Sequence, residues 1–351
     1  MILFVGPSKN PITGQSVAFQ TLIDNTRVNE HLVLEYRSPE RLLFKLLSAV
    51  LFVIKFAYII SVYRNINTVY ITTSRSFLGF CRDAIVVLFS SYRRKKIINH
   101  LHGSDFLKFR QANIKLVKVI DYIYNKIDVS LVLSEGMREQ YVAYPAMEIK
   151  VVPNFSHFVS DGRVTSTSGK IRVLYLSNII YSKGVLDLVE AFKMLPIDNF
   201  DLKVAGAFMG DEFMSRRDIE KTFYSAIDKA PNIEYLGVVK GAEKEKLYDH
   251  SDVFCLPTFY PTEAQPISII EAMSKGCYII STDRGYIADI LNGTGNKMVS
   301  IQNPVELKEE LERVYKERSI LNIVSAENIQ AVDKLYSLKK HVSAIDNVLE
   351  L

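Results

Sequence analysis

The sequence contains no tryptophan, three cysteines and no Asp-x-Asp pair. Cys81, Cys255 and Cys277 are odd in number, far apart and set in apolar surroundings, which excludes a disulfide framework and a CxxC metal site. A reducing, cytosolic setting fits that usage. Without Asp-x-Asp, no metal clamp for a diphosphate is evident, and no cofactor or metal is expected. The first turn carries no GxGxxG, and no acidic residue is well placed after the next strand, which disfavours dinucleotide-dependent oxidoreduction. Internal repeats, low-complexity tracts and recognised nucleic-acid modules are missing as well, so no nucleic-acid partner is expected. The start, Met1-Ile-Leu-Phe-Val5 into Gly6-Pro7, has no basic leader and does not read as a secretory signal.

What is present is 351 residues, 48% hydrophobic and 23% charged, the size and composition of two globular cores. The net charge of +4 hides an asymmetry. Residues 1–165 hold 21 basic and 12 acidic residues, and the remainder 22 and 27. A basic half joined to an acidic half points to an anionic partner for the first. Residues 42–63 are long enough to span a bilayer. Lys45 and Lys55 inside the run would cost roughly 5–7 kcal/mol on insertion scales, so a helix lying on the protein or on a membrane face is expected, with Arg41 and Arg64 at its ends.

Strand-like runs at 2–5, 32–36, 68–72, 96–101, 129–133 and 148–152 alternate with helical stretches that include 76–91 and 112–127. Residues 160–169 are small and polar and read as a linker. The alternation then restarts, with strands at 171–176, 201–205, 233–236, 253–257 and 278–281. Helices at 184–194, 213–229, 242–250 and 267–275 lie between them. From about residue 305 the chain is helical. The expected fold is α/β, two doubly wound Rossmann-like domains at 1–162 and 163–330, with a C-terminal helix at 331–351 crossing back to the first.

Two segments carry chemistry. In Thr262-Glu-Ala-Gln-Pro-Ile-Ser-Ile-Ile-Glu-Ala-Met-Ser-Lys-Gly276, Glu263 falls in a loop after a strand. Pro266 fits the first turn of a helix, Gly276 its end, and Glu271 lies about one and a half turns inside. Amides near Ile267 and Ser268 open that helix, where a diphosphate would be held. The bland alternative is a loop glutamate and a solvated helix glutamate. In Val173-Leu-Tyr-Leu-Ser-Asn-Ile-Ile-Tyr-Ser-Lys-Gly184, Lys183 follows Asn178 by five residues and precedes a helix. Taken alone, that Lys-Gly is a surface turn.

Glu263 and Glu271 match the E-x7-E pattern of glycosyltransferase family 4, and the flanking text resembles that family's segment. The resemblance implies the two-domain GT-B fold, a retaining and metal-independent glycosyltransferase, and a nucleotide-diphosphate sugar as donor. It implies that Glu271 binds the ribose, Glu263 the donor sugar hydroxyls and Lys183 the diphosphate. Asn178 stands where the family has arginine, and Ala264-Gln265-Pro266 where it commonly has Gly-Phe-Gly. Gly14, before a helix in Pro7-Ser-Lys-Asn-Pro-Ile-Thr-Gly-Gln-Ser16, resembles the family's N-terminal glycine loop. His102, in Asn99-His-Leu-His-Gly-Ser-Asp105, resembles its sugar-contacting histidine, while His100 reads as structural. Val238 matches the loop beside the base.

The opening loop also looks like bacterial enzymes that extend polyprenyl-diphosphate-linked sugars. With the cationic 41–64 stretch and Arg93-Arg94-Lys95-Lys96, this makes a lipid-linked glycan acceptor and an anionic membrane surface the expected partners. The setting would be the cytoplasm, peripheral on the inner face of the cytoplasmic membrane, in surface-polysaccharide assembly such as O-antigen or capsule. Lys45 and Lys55 would lie on that same side. Two other functions remain open: a nucleotide-sugar epimerase of the same architecture, and a degenerate nucleotide-binding scaffold.

Overall fold

The computed structural model describes residues 1–10, 12–37, 42–74, 76–159 and 169–349, and for Leu42 and Lys45 only the backbone. Arg41 and nearly all of the expected linker fall outside these residues. The chain divides into two compact units, Met1–Asn154 with Lys339–Leu351, and Phe155–Leu338.

The first unit runs β1 (Ile2–Pro7), α1 (Gly14–Asn25), β2 (His31–Tyr36), α2 (Leu42–Val62), β3 (Thr68–Thr72), α3 (Phe77–Tyr92) and β4 (Lys96–His100). It continues with α4 (Phe106–Ala112), α5 (Val117–Tyr124), β5 (Val129–Val132) and β6 (Glu148–Val151). Its sheet is parallel, in the order β2-β1-β3-β4-β5-β6. Alternate residues of β1 serve opposite faces, as the pleat requires. Ile2 and Phe4 pack with Phe19 and Leu22 of α1. Leu3 and Val5 pack with Phe52, Phe56 and Ile60 of α2 and Val86 of α3. The expected single helix at 112–127 is broken at Asn113, whose backbone (φ −105°, ψ 42°) leaves the helical region while its side chain donates to the Phe109 carbonyl.

The second unit runs β7 (Ile171–Leu176), α6 (Val185–Lys193), β8 (Phe200–Ala205), α7 (Arg216–Ile227), β9 (Ile233–Tyr235), α8 (Gly241–Asp249), β10 (Val253–Leu256), α9 (Ile267–Ser274) and β11 (Tyr278–Thr282). It closes with α10 (Ile287–Leu291), β12 (Lys297–Val299), α11 (Pro304–Lys316) and α12 (Ser319–Leu335). The sheet is again parallel, β12-β11-β10-β7-β8-β9. β10 and β11 are buried throughout, which is why they read as unbroken apolar runs. The sequence pattern missed β12 and α10, too short to show a period.

The units part at Asn154, eight residues before the expected boundary, because packing and not composition sets it. Ser156 donates its amide to the Tyr336 carbonyl and shares a hydroxyl hydrogen bond with Ser274, tying this stretch to the second unit. The return to the first unit starts at Lys339 and not at 331, since Val332 and Tyr336 are buried in the second core.

The last helix, α13 (Leu338–Leu349), packs on the first sheet through Ile345, Val348 and Leu349. Asp346 accepts from Thr26 Oγ1 (2.6 Å) and the Arg27 amide (3.1 Å), and Lys96 Nζ donates to the Val348 carbonyl. Ile345 is fully buried among Ile2, Phe4 and Phe19. Ile345→Ala is therefore expected to cost about 2–4 kcal/mol, read as a lowered urea midpoint of the first unit. An unchanged midpoint would mean that α13 is not part of that core.

Candidate functional site

In a doubly wound sheet, ligands bind at the carboxyl ends of the strands where the chain order reverses. In the second unit that point lies between β7 and β10, and the loops following those strands carry Lys183 and Glu263. Lys183 Nζ ion-pairs with Glu263 Oε2, both side chains being largely withdrawn from solvent. Thr258 Oγ1 donates to the same oxygen at 3.2 Å, and the ammonium lies 4.9 Å from the Tyr260 ring centroid. A cation and an anion this far out of water hold each other, and removing either leaves an uncompensated charge.

Glycines bring neighbouring backbone close to both loops, one inside the lysine loop and one in the connection after β11. Gly184 has φ +77°, and a Cβ there would come within 2.1 Å of the Pro257 carbonyl oxygen, so the lysine loop can press against the strand end beside the glutamate. Gly285, φ +63°, lies likewise against the Glu263 carbonyl, while the Tyr286 amide donates to the Ala264 carbonyl. Asp211 fixes the other flank. It accepts from the Ser182 amide (2.9 Å) and hydroxyl (2.6 Å) and from the Phe213 and Met214 amides (2.9 Å each). Burial works against its charge, but these hydrogen bonds prevail and keep the carboxyl below its usual range.

Helix α9 starts four residues after Glu263. Pro266 is its N-cap, one position before the expected first turn, with ψ 120°. Ile267 and Ser268 supply the first amides, which have no intrahelical acceptor and carry the positive end of the helix dipole. Gly276, φ +71°, ends the helix. Glu271, 2% exposed, accepts from Lys244 Nζ (2.6 Å) and Tyr248 OH (3.0 Å), both on α8. Burial, and then the neighbouring Glu271 carboxylate, push the Tyr248 phenol far up, so the hydroxyl remains a donor. Two acid–base pairs, Lys183–Glu263 and Lys244–Glu271, thus flank the start of one helix.

Asn178 lies in the β7 loop, its carbonyl accepting from Tyr175 OH at 3.4 Å. Val238 is exposed just after Gly237, φ +71°, beyond the end of β9. Lys244, Tyr248, Asp211, Thr258 and Gly285 were not singled out from sequence. The one available signal was the four-residue spacing of Lys244 and Tyr248 on a predicted helix, which puts them on one face.

The remaining expected residues belong to the first unit. Thr13 caps α1 in a reciprocal box with Ser16, and a Cβ on Gly14 would meet nothing within 4 Å, so the fold itself does not require that glycine. His102 lies after β4 with its ring centroid 4.0 Å from that of His100. His100 is buried and bonded to Tyr70 OH at 2.6 Å, and burial, then His102 and His341, hold its pKa well below the usual value. Lys55 is exposed on α2, Arg93 is the C-cap of α3 with Arg94 (φ 53°) beyond it, and Lys95 Nζ donates to the Arg64 carbonyl. Lys96 holds α13 and thereby serves the fold. The side chain of Lys45 is outside the described residues. Among those residues, no group of three or more His, Cys, Asp or Glu is arranged to hold a metal ion.

Two parallel six-stranded α/β units are the architecture of the GT-B fold. Residues 161–330, lying within the second unit, match the family model described as Glycosyl transferases group 1. Anabaena HepE solved with UDP-glucose aligns over 99% of both chains at a TM-score of 0.75 and 17% identity. A sucrose-phosphate synthase of Thermosynechococcus elongatus aligns over 99% of this chain and 98% of its own, also at 0.75 and 17%. In sequence, an uncharacterized glycosyltransferase of Methanocaldococcus jannaschii is 28% identical over 144 residues, 40% of this chain. The match spans 35% of that relative's length.

Gly184→Ala should destabilise the protein by about 2–3 kcal/mol, because an L side chain is strained at this φ and the carbonyl leaves no room. Equilibrium denaturation measures this, and a neutral effect would refute the described loop. Asp187, in the first turn of α6, gives a pH-dependent test. Burial pushes its carboxyl up to about 6, and its Oδ2 has no hydrogen-bond partner among the described residues. The raised value means the folded state penalises the charged form, so the cost is present above pH 6 and disappears as pH falls toward 4. Asp187→Asn should raise the melting temperature at pH 8 and leave it unchanged at pH 4. An equal gain at both would remove the burial explanation.

Proposed function

We propose that this chain moves a sugar, with retention at the anomeric carbon and without a metal, from a nucleotide-diphosphate sugar to a glycan carried on a polyprenyl diphosphate. The site of action is the inner face of the cytoplasmic membrane, in assembly of a bacterial surface polysaccharide such as O-antigen, capsule or exopolysaccharide. The observation that carries the donor reading is the Lys183–Glu263 pair beside the N-terminus of α9 in a group 1 domain. Structural neighbours solved with UDP and UDP-glucose favour UDP over GDP.

In this reading the diphosphate lies against the amides of Ile267 and Ser268, with Lys183 donating to its oxygens. An ammonium has three donor hydrogens, so Glu263 can orient Lys183 through one while others turn to the phosphate. Glu263 accepts hydroxyls of the donor sugar, Glu271 those of the ribose, and Asn178 donates where it brings no charge. Val238 borders the base. The bond from the anomeric carbon to the diphosphate oxygen breaks, and its electron pair stays on the diphosphate. The acceptor hydroxyl bonds to the same face of that carbon, and its proton passes to the departing diphosphate.

The test incubates purified protein with a panel of UDP- and GDP-sugars, with and without membrane lipid extract. Sugar should appear in the lipid fraction. Lys183→Ala should lower the rate about 10²- to 10³-fold, the magnitude seen when one charge-stabilising donor is lost, and Glu271→Ala should weaken donor binding. Conversion of the donor without lipid would replace this reading by epimerisation. Bound nucleotide with no turnover on any acceptor fraction would replace it by a scaffold, to which Asn178 in place of arginine would then belong.

A further inference from the structure

Helices α2 and α3 cover the same face of the first sheet and touch each other, the Phe56 and Phe89 ring centroids being 6.3 Å apart. Each buries one side in that core. The opposite sides are also apolar. On α2, Leu43, Leu47, Val50, Ile54, Tyr58 and Val62 are exposed at intervals of three or four residues along the helix. On α3, Leu78, Ile85, Leu88 and Tyr92 continue the pattern, with Cys81 between them. Exposure reaches 75% at Leu43, 64% at Tyr58 and 80% at Tyr92. A helix interior normally shows a single apolar stripe, toward the core. Two adjacent helices with a second stripe each form a plate larger than the scattered apolar residues of an ordinary surface.

The charge around the plate names its occupant. Residues 41–96 contain ten lysines and arginines and one acidic residue, Asp83. Asp83 is buried and taken by Arg82 at 2.6 Å and by the Ser74 amide, so it offers nothing outward. Both helices finish in an aromatic followed by cations. Tyr63-Arg64 closes α2 and Tyr92-Arg93-Arg94-Lys95 closes α3, with Lys95 bonded to the Arg64 carbonyl so that the two clusters adjoin. Apolar side chains in the middle, tyrosines at the margin and arginines beyond them is the order in which a bilayer presents its tails, its interface and its anionic headgroups. No helix among the described residues is long and apolar enough to cross a membrane, so the plate would lie in the interface plane.

We infer that the α2–α3 plate is the surface by which this protein enters the headgroup layer of an anionic bilayer, its apolar stripes inserted and its basic ends on the lipid phosphates. The inference gives the proposed lipid-linked acceptor a route to the enzyme. It depends on that reading only for the acceptor, because the plate and its charge stand without any nucleotide.

The full chain, without nucleotide sugar, is sedimented with vesicles of phosphatidylglycerol and phosphatidylethanolamine and with vesicles of phosphatidylcholine alone. Binding should favour the anionic vesicles at least tenfold and should weaken, without vanishing, in high salt. Leu47→Glu with Ile54→Glu should lower vesicle affinity at least tenfold while UDP binding and the melting temperature stay at wild-type values. Lys55→Gln and Arg93→Gln should each lower it roughly fivefold, the worth of one interfacial charge. Equal binding to neutral vesicles would overturn the anionic assignment. No vesicle binding, or a sedimentation-velocity dimer that the Leu47→Glu/Ile54→Glu change dissolves, would overturn the inference in favour of a second copy on the plate. Because nucleotide sugar is absent, failure here leaves the donor reading standing, and failure to turn over sugar leaves this one standing.

Discussion

The ion pair between Lys183 and Glu263 organises the second unit's ligand edge. A buried lysine is tolerated only with a counter-charge, and a buried carboxylate only with donors, so each residue is the condition for the other. The surrounding backbone is arranged to bring them together. Gly184 lets the β7 loop close on Pro257, Gly285 supports the glutamate's carbonyl, and Asp211 gathers three amides and a hydroxyl to hold Ser182 next to the lysine. The parallel sheet supplies the rest, because β7 and β10 are neighbours at the one place where their loops diverge.

The two units differ in chemistry as they differ in charge. The second sets two lysine–carboxylate pairs around one helix. The first has an ordinary α/β core, but one helical layer is apolar on both sides and fringed with cations. Neither property follows from the fold, which many functions share. Each comes from side chains placed on the same scaffold, which explains how solved structures at 16–17% identity keep the architecture.

The alternating strand–helix order was legible because buried parallel strands such as β10 and β11 are unbroken apolar runs. The unit boundary was not, since the composition changes at 160–169 while the hydrogen bonds of Ser156 already belong to the second unit. Lys183, Glu263 and Glu271 were singled out by the resemblance of their segments to the E-x7-E family, and the structure brings the first two together. Lys244 and Tyr248 were not singled out, because their role depends on a carboxylate 27 and 23 residues away. Residues 42–63 were readable as a helix, but the second apolar stripe on α3 emerged only once both helices were seen on one face. The absence of a Cβ contact at Gly14 separates what the fold needs from what a ligand would need, a distinction that sequence alone does not contain.

In the proposed function Lys183, held by Glu263, reads the diphosphate of a nucleotide sugar. Calorimetric titration of UDP, UMP and uridine into wild type and Lys183→Ala isolates that role. Wild type should bind UDP at least tenfold more tightly than UMP, and Lys183→Ala should lose most of this margin while its much weaker uridine affinity is unchanged. An equal UDP preference in both proteins, or no UDP binding by wild type, would rule the role out.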